Sequence, residues 1–295
     1  MTNLTSCTLC GGKDFREFLK CKDHTSTQET FTIKTCTTCG FRFTDPQPSE
    51  AEIPKYYRSE NYISHTGSKR NLFEIIYHIS RRYSLIKKRN LISKNSSGRA
   101  LLDYGCGTGE FLAEMKKKGW NISGIEPSDI AHTKAELKTE EKIHRTIFEI
   151  DKEKPFDVIT LWHVLEHVHN PNEILTALGS YLNKTGTIII AVPNCESYDA
   201  IHYNSFWAAY DVPRHLWHFS KENLKTILVK NGFKLTKILP MKLDSYYVSL
   251  LSESYKNKEG LKILNPIRAF VKGFISNLKG RKNMNYSSLI YIAKK

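Results

Sequence analysis

The chain has 295 residues, 40% hydrophobic and 25% charged, which is ordinary globular usage and excludes collagenous, disordered and disulfide-rich mini-proteins. The net charge is +14, and residues 66–99 and 256–295 hold nine and ten basic residues against one acid each. Such segments can attract nucleic acid, phosphate or an anionic membrane, or can be solvated helix faces. The sequence has no run of about 18 apolar residues and starts without a secretory signal, so we expect a cytoplasmic protein.

Five cysteines lie in the first 50 residues, and four of them form two Cys-x-x-Cys pairs. A tight turn of this kind directs two thiolates to one point, and two such turns make a closed tetrahedral site that suits Zn²⁺. We therefore predict a zinc-ribbon module over residues 1–50, with a hairpin between the pairs and a structural metal. Unrelated buried thiols or a redox pair are the alternatives. The predicted zinc ligands are Cys7, Cys10, Cys36 and Cys39.

Residues 51–98 are predicted to form a helical linker or lid, because apolar residues recur there at helical spacing beside a basic face. From residue 99 short β runs alternate with helical runs. This pattern predicts an α/β fold for residues 99–295, with a Rossmann-like, seven-stranded, mostly parallel sheet and helices on both faces. An amphipathic helix over about 265–279 is an insertion in that domain. The expected strands are 100–105, 122–126, 142–147, 156–162, 187–192, 233–239 and 288–293, and the other helices are 109–118, 129–138, 172–182 and 221–231.

The segment LLDYGCGTGEF starts at Leu101, and in it a strand ends at Gly105 and a helix begins near Gly109. Glycine permits positive φ and lets a ligand approach the backbone closely. The spacing is GxGxG, not the GxGxxG of dinucleotide binders, which favours a ligand without phosphate over the strand tip. Glu126 ends the next strand, where a carboxylate can accept hydrogen bonds from the two hydroxyls of a ribose.

These residues resemble the class I S-adenosylmethionine-dependent methyltransferases over about residues 99–240. The glycine loop is similar to the first motif of that family, and the segments 125–128, 156–168 and 191–194 are similar to its later motifs in the same order. The resemblance implies that Asp103 and Gly105 lie near the methionine moiety, that Glu126 holds the ribose, and that Trp162 borders the cofactor. The cofactor-binding residues that it implies are Asp103, Gly105, Cys106, Gly107, Glu126, Pro127, Trp162 and His163.

The segment PRHLWHFS at residues 213–220 resembles a stretch of small bacterial methyltransferases that often act on sugars and surface polysaccharides. It is also loosely similar to a segment of zinc-containing sugar C-methyltransferases, which implies His215 as the general base. Arg214 stands where that family has an acid, so methylation of an oxygen is at least as well supported as methylation of a carbon. Arg214 could hold a substrate phosphate or carboxylate, or pair with Asp211. The expected acceptor is a sugar, a nucleotide-sugar or a lipid-linked glycan.

Two other functions remain open at this point. The chain could methylate ribosomal or transfer RNA, since the charge is positive, although no Asn/Asp-Pro-Pro-Tyr motif is present. It could also be a non-catalytic interaction protein, in which a zinc ribbon is joined to a methyltransferase scaffold. The intact glycine loop argues against this alternative. The helix at 265–279 could contact an anionic membrane, or it could cap the substrate cleft with its apolar face buried.

Overall fold

The computed structural model describes residues 1–57, 72–257 and 264–295, with the backbone alone for residues 72–80. Its larger sheet has seven strands in the order β10-β11-β8-β7-β4-β5-β6, and only the contacts of β11 with its two neighbours are antiparallel. This topology confirms the α/β Rossmann-like prediction. The strands of this sheet are β4 Ala100–Tyr104, β5 Asn121–Ile125, β6 Ile143–His144, β7 Phe156–Trp162, β8 Leu182–Pro193, β10 Lys234–Pro240 and β11 Ser288–Lys294.

The helices follow the expected alternation and cover the sheet. Their starts carry ordinary capping chemistry: Asn170 and Ser220 accept a backbone N–H of the first turn, and Pro171 and Pro266 take early helical positions. Of the helical segment predicted over residues 51–98, the structure shows a short 3₁₀ helix at Ile53–Tyr57 and a helix at Leu72–Asn95, and residues 58–71 lie outside the described residues. The helices are α1 Leu72–Asn95, α2 Glu110–Lys116, α3 Asp129–Thr139, α4 Pro171–Ser180, α5 Tyr198–Tyr203, α6 Lys221–Lys230, α7 Asp244–Lys256 and α8 Asn265–Asn283.

The smaller sheet joins the N-terminal residues to a distant part of the chain. Strands β1 Phe15–Lys22, β2 Thr30–Cys36 and β3 Arg42–Asp45 form an antiparallel meander, and β9 Trp217–His218 pairs with β3. The aromatic ring of Trp217 stacks on Phe41 with the ring centroids 5.6 Å apart. Residues 1–50 therefore share a sheet and a hydrophobic core with the chain that follows β8.

Helices α7 and α8, which lie between β10 and β11 in the chain, pack closely against each other. Gly273 of α8 makes this contact, since a Cβ there would lie 2.8–3.0 Å from Tyr246. On the same buried side of α8, Ser276 donates to Asp199 of α5 and Gly280 faces Tyr286. Several large apolar side chains of α8 are exposed, as described below, and among them Phe270 stacks its ring on Tyr246 of α7. In the described ranges, no helix combines the length and the apolar character needed to cross a bilayer.

Candidate functional site

The glycine loop lies at the carboxyl end of β4, as predicted. The amides of Gly105 and Cys106 both donate to the carbonyl of Ile125 on the neighbouring strand, at 2.8 and 2.9 Å. Gly105, Gly107 and Gly109 have φ of 74°, 56° and 77°, which side chains with a Cβ rarely adopt. A Cβ would collide with Val164 at Gly105 but would meet nothing within 4 Å at Gly107. The backbone at Gly107 therefore borders open space in which a ligand can approach.

Glu126 lies directly beside this loop. Its carboxylate is buried and accepts hydrogen bonds from the amides of Gly107 and Ser128, both at 2.9 Å. Each oxygen takes one of these bonds, so each retains acceptor capacity for a ribose hydroxyl. Pro127 follows on the exposed side. The loop and the acid thus form one preorganised unit from β4 and β5.

Asp103 is buried at the end of β4, where Thr160 Oγ1 donates to its Oδ1 at 2.6 Å. Burial raises the pKa of Asp103 to about 7, against the opposing effect of this hydrogen bond and of Lys88. A cationic group next to Asp103 would favour the ionised form. The thiol of Cys106 is buried in the core, so a ligand can reach this residue only through its backbone.

Trp162 and His163 end β7 at the same edge of the sheet. Lys88 of α1 lies 4.3 Å above the Trp162 ring, and the indole Nε1 of Trp162 is buried without a hydrogen-bond partner in the part of the chain that is described. This indole N–H can therefore donate to an acceptor of a bound ligand. Phe111 packs edge-on against the other side of the indole.

His163 has a positive φ of 58°, which is uncommon for a residue with a Cβ and is typical of functional sites. Its Nε2 lies 3.0 Å from Asp244 at the start of α7, and its Nδ1 lies 3.3 Å from Glu166. Burial opposes the charged imidazole, but these two carboxylates outweigh it and raise the pKa of His163 to about 10. His163 is therefore a cation near neutral pH and not a proton acceptor.

His215 lies in the loop before β9, next to the turn after β7. Its Nδ1 is 2.8 Å from the carbonyl of Ala209, and its ring meets that of His167 edge-on at 4.5 Å between centroids. Because a carbonyl only accepts, Nδ1 of His215 carries the proton and Nε2 has the lone pair. Burial and the neighbouring His215 lower the pKa of His167 to about 4. Both imidazoles surround the carboxylate of Glu166.

Arg214 does not offer its guanidinium to a ligand. It is 1% exposed and donates to Asp211, to Asp23 and to the carbonyl of Tyr56. Of the two roles considered for Arg214, the ion pair with Asp211 is therefore observed, and the phosphate fork is not supported. The network ties the loop of His215 to the β1–β2 hairpin.

The four predicted zinc ligands come together. Sγ of Cys7 lies 3.6 Å from Sγ of Cys39, and Sγ of Cys10 lies 3.6 Å from Sγ of Cys36. Four sulfurs at 2.3 Å from one Zn²⁺ would be about 3.8 Å apart, so the spacing fits tetrahedral coordination. Each knuckle closes with a glycine at positive φ, and a Cβ on Gly12 would crowd two of the sulfurs.

The structure thus places all eight predicted cofactor residues at the carboxyl edge of β4, β5 and β7. Sequence reasoning missed Lys88 and Asp244, which reach this edge from α1 and α7. Neither residue belongs to a motif, and only the tertiary packing brings them to the site. Together the residues fit an adenosyl ligand: a carboxylate for the ribose, a buried acid for a cation, and an indole that needs an acceptor.

A family model described as a methyltransferase domain matches residues 77–238, more than half of the chain. Ubiquinone biosynthesis O-methyltransferases are among the curated relatives. The one from Rickettsia typhi is 29% identical over 154 residues, covering 50% of this chain and 61% of the relative. The one from Rhodopseudomonas palustris is 30% identical over 165 residues, covering 50% and 64%. The chain thus spans less than two thirds of these relatives.

Solved structures give the same assignment. A SAM-dependent methyltransferase from Archaeoglobus fulgidus matches with a TM-score of 0.51 and 25% identity, over 76% of this chain and 98% of that one. The magnesium protoporphyrin IX methyltransferase from Synechocystis PCC 6803, with bound SAH, matches with a TM-score of 0.54 and 12% identity, over 84% and 100%. The latter likeness shows the fold alone. The chain belongs to the methyltransferase-domain family and has the fold of the class I S-adenosylmethionine-dependent enzymes.

Proposed function

We propose that this protein transfers the methyl group of S-adenosylmethionine to a hydroxyl oxygen of a sugar, a nucleotide-sugar or a lipid-linked glycan. The observation that carries the proposal is the hydrogen bond between the Gly107 amide and Glu126, which joins the glycine loop and the ribose-binding acid into one cradle. The family match covers the strands that bear both elements. The relatives are named as O-methyltransferases, which favours oxygen over carbon as the acceptor atom.

The bound cofactor would supply an electrophilic methyl group, and the chain's own residues would position the reactants. Glu126 would hold the two ribose hydroxyls, and Asp103 would face the ammonium group of the methionine moiety. The N–H of Trp162 would gain an acceptor from the ligand. His163, held as a cation between two carboxylates, would border the site without taking a proton.

His215 is the proposed general base. The hydrogen bond from its Nδ1 to Ala209 fixes the tautomer whose Nε2 can accept a proton from the acceptor hydroxyl. The new O–CH₃ bond would form as the C–S bond breaks, and the hydroxyl proton would move to Nε2. Arg214 would position this loop through its contacts with Asp211 and Asp23 rather than contact the substrate.

The four-cysteine cluster is proposed to bind one structural Zn²⁺ in a ribbon module over residues 1–50. Residues 51–98 would be a linker or lid, and residues 99–295 the methyltransferase domain. The cluster geometry supports the metal, since each sulfur lies in a turn that backbone hydrogen bonds close. A closed set of four thiolates leaves no position for substrate, so the proposed role is to support the loop of His215 through β3 and β9.

Helix α8 supports a membrane-associated acceptor. Ile267, Phe270, Phe274 and Leu278 form one stripe and are 63%, 62%, 49% and 45% exposed, which supports a surface contact rather than a buried apolar face. Arg268, Lys272, Lys279, Arg281 and Lys282 flank the stripe. An apolar stripe with cationic flanks suits the surface of an anionic bilayer. Through its packing on α7, this helix is linked to Asp244 and the site.

Vesicle flotation tests this contact. We expect the wild type to float with phosphatidylglycerol-containing vesicles, less with pure phosphatidylcholine, and less at high salt. Ile267→Ser/Phe274→Ser should weaken binding about tenfold or more, because two apolar side chains lose their burial. Val229→Ser, at another exposed apolar position, is the matched control. Equal flotation of the wild type and the double variant would exclude a bilayer contact through α8.

Calorimetry with S-adenosylmethionine tests the proposed function itself. Glu126→Ala and Gly107→Arg should each reduce affinity by about tenfold or more, because they remove charged acceptors or fill the cradle. Glu222→Ala removes an exposed carboxylate on α6 and should bind normally. Methyl transfer should then be measured as S-adenosylhomocysteine release with nucleotide sugars and lipid-linked sugars. Absence of cofactor binding by the wild type at millimolar concentration would reject the proposal.

A further inference from the structure

A second group of potential metal ligands lies in the turn after β7 and the loop before β9. Glu166, His167 and His215 each offer one ligand atom, and these atoms all lie within 4.8 Å of one another. We propose that they bind one divalent transition-metal ion, at a site distinct from the four cysteines. Coordination of the acceptor by this ion rests on the proposed function, whereas binding of the ion does not.

The carboxylate of Glu166 carries the argument. It is 1% exposed, and neither oxygen has a hydrogen-bond partner within the described ranges. His163 supplies an ion-pair contact at 3.3 Å from Oε1, but no well-directed donor reaches either oxygen. A buried carboxylate with open lone pairs is costly, because water normally satisfies them. A cation at this position would satisfy both oxygens.

The two imidazoles are oriented as metal ligands usually are. Nδ1 of His167 lies 3.1 Å from the carbonyl of Arg214 and 3.0 Å from Oη of Tyr57, both of which can accept its proton, and Nδ1 of His215 lies 2.8 Å from the carbonyl of Ala209. A hydrogen bond from Nδ1–H to a backbone carbonyl places the lone pair on Nε2, which is the usual outer-shell arrangement around a bound metal. Within the described part of the chain, Nε2 of neither ring is hydrogen-bonded.

The donor set indicates the class of ion. Two imidazole nitrogens and one carboxylate suit Mn²⁺, Fe²⁺, Co²⁺ or Zn²⁺, and three protein ligands leave coordination positions for water or an acceptor oxygen. The four thiolates near the N-terminus are soft ligands that favour Zn²⁺ and disfavour Mn²⁺. Mn²⁺ therefore distinguishes the two sites.

The ion would refine the proposed chemistry. With the ion bound, Nε2 of His215 would be a metal ligand, so the ion would replace His215 in its proposed role as general base and the acceptor hydroxyl would bind to the ion. Coordination lowers the pKa of the hydroxyl, so its proton leaves to solvent water as the O–CH₃ bond forms and the C–S bond breaks. An acceptor with two adjacent oxygens would gain most from such a site.

The test uses the full-length protein loaded with one equivalent of Zn²⁺ per chain, which the four thiolates bind in preference to the site at Glu166. Mn²⁺ alone is titrated and its free signal is followed by electron paramagnetic resonance. We expect one Mn²⁺ bound per chain, with affinity about tenfold or more weaker in Glu166→Gln and His215→Ala. His202→Ala, a histidine on α5, is the matched control and should bind as the wild type does.

Calorimetry with S-adenosylmethionine on the same samples distinguishes failure of the proposed function from failure of the metal site. Loss of cofactor binding would count against the proposed function, whereas Mn²⁺ binding alone tests the metal site. If a variant fails to fold, pulsed electron paramagnetic resonance on the wild-type protein tests the ligand set instead. Two coordinated imidazole nitrogens are expected to modulate the Mn²⁺ signal. No Mn²⁺ binding at millimolar concentration, no nitrogen coupling, or unchanged affinity in folded Glu166→Gln and His215→Ala would overturn the inference.

Discussion

Replacement of Arg214 by Met should destabilise the protein strongly, although the residue lies in neither proposed ligand set. The side chain is 1% exposed and donates two hydrogen bonds to Asp211, one to Asp23 and one to the carbonyl of Tyr56. Methionine keeps much of the volume but leaves two buried or half-buried carboxylates without their cation. Breaking a buried ion pair in this way costs about 3–5 kcal/mol.

The structure places the expected cost at the lower end of that range. Asp23 keeps four donors from residues 25–27, so its carboxylate stays hydrogen-bonded. The carboxylate of Asp211 has no other hydrogen bond among the residues described, but its side chain is 20% exposed and water can reach it. We therefore expect a loss of about 3 kcal/mol in the free energy of unfolding, with part of it recovered in Asp211→Asn/Arg214→Met.

Urea unfolding at pH 7 and pH 3 measures this effect. Burial opposes ionisation of both acids, but Arg214 holds the pKa of Asp23 and of Asp211 below the ordinary value. The stabilisation is therefore complete above the unfolded pKa of about 3.9 and declines as the pH falls below it. The deficit of Arg214→Met should shrink in acid. A difference below about 1 kcal/mol at pH 7, or one that grows in acid, would refute the reasoning.

Three further predictions concern other parts of the molecule. S-adenosylmethionine affinity should fall between pH 8 and pH 6, because Asp103, whose pKa is about 7, loses its charge as the pH falls. Calorimetry should show proton release on binding by the wild type and an affinity that does not change with pH in Asp103→Asn. A wild-type affinity that does not change with pH would contradict this. Cys36→Ser should lower the zinc content, measured with a chelating dye. It should also make the fluorescence of Trp217 more accessible to quenchers, because β3 supports β9. Zinc loss without a change in quenching would show that the cysteine cluster does not support the loop of His215. Gly273→Val should cost about 1–3 kcal/mol by forcing α8 from Tyr246, whereas Val271→Ala on the exposed side should be nearly neutral in thermal unfolding.

The local motifs of the site could be predicted because their chemistry is contiguous. The glycine loop and Glu126 each follow a strand, and the parallel order brings the strand ends to one edge. The contacts of His163 with Asp244 and of Lys88 with Trp162 could not be predicted, since they join elements that only the packing of α1 and α7 brings together.

Helix α8 shows a second limit of sequence reasoning. Its predicted end near residue 279 is too early, because Gly280 is a buried helical residue that faces Tyr286, and the helix continues to Asn283. Met284, with φ of 61°, takes the left-handed cap position. Periodicity also showed an amphipathic helix without showing which face is buried. Close packing favoured the small residues, which left the large apolar stripe exposed.

The pairing of β3 with β9 has a consequence for biosynthesis. Arg42 and Phe43 find their partners His218 and Trp217 only after about 170 further residues have left the ribosome. The N-terminal cysteine segment can close around a metal early, yet its outer strand stays unpaired until then. In a fusion of residues 1–50 to another protein, the edge of that strand would be unpaired and exposed. The segment is therefore poorly suited to transfer between proteins by domain shuffling.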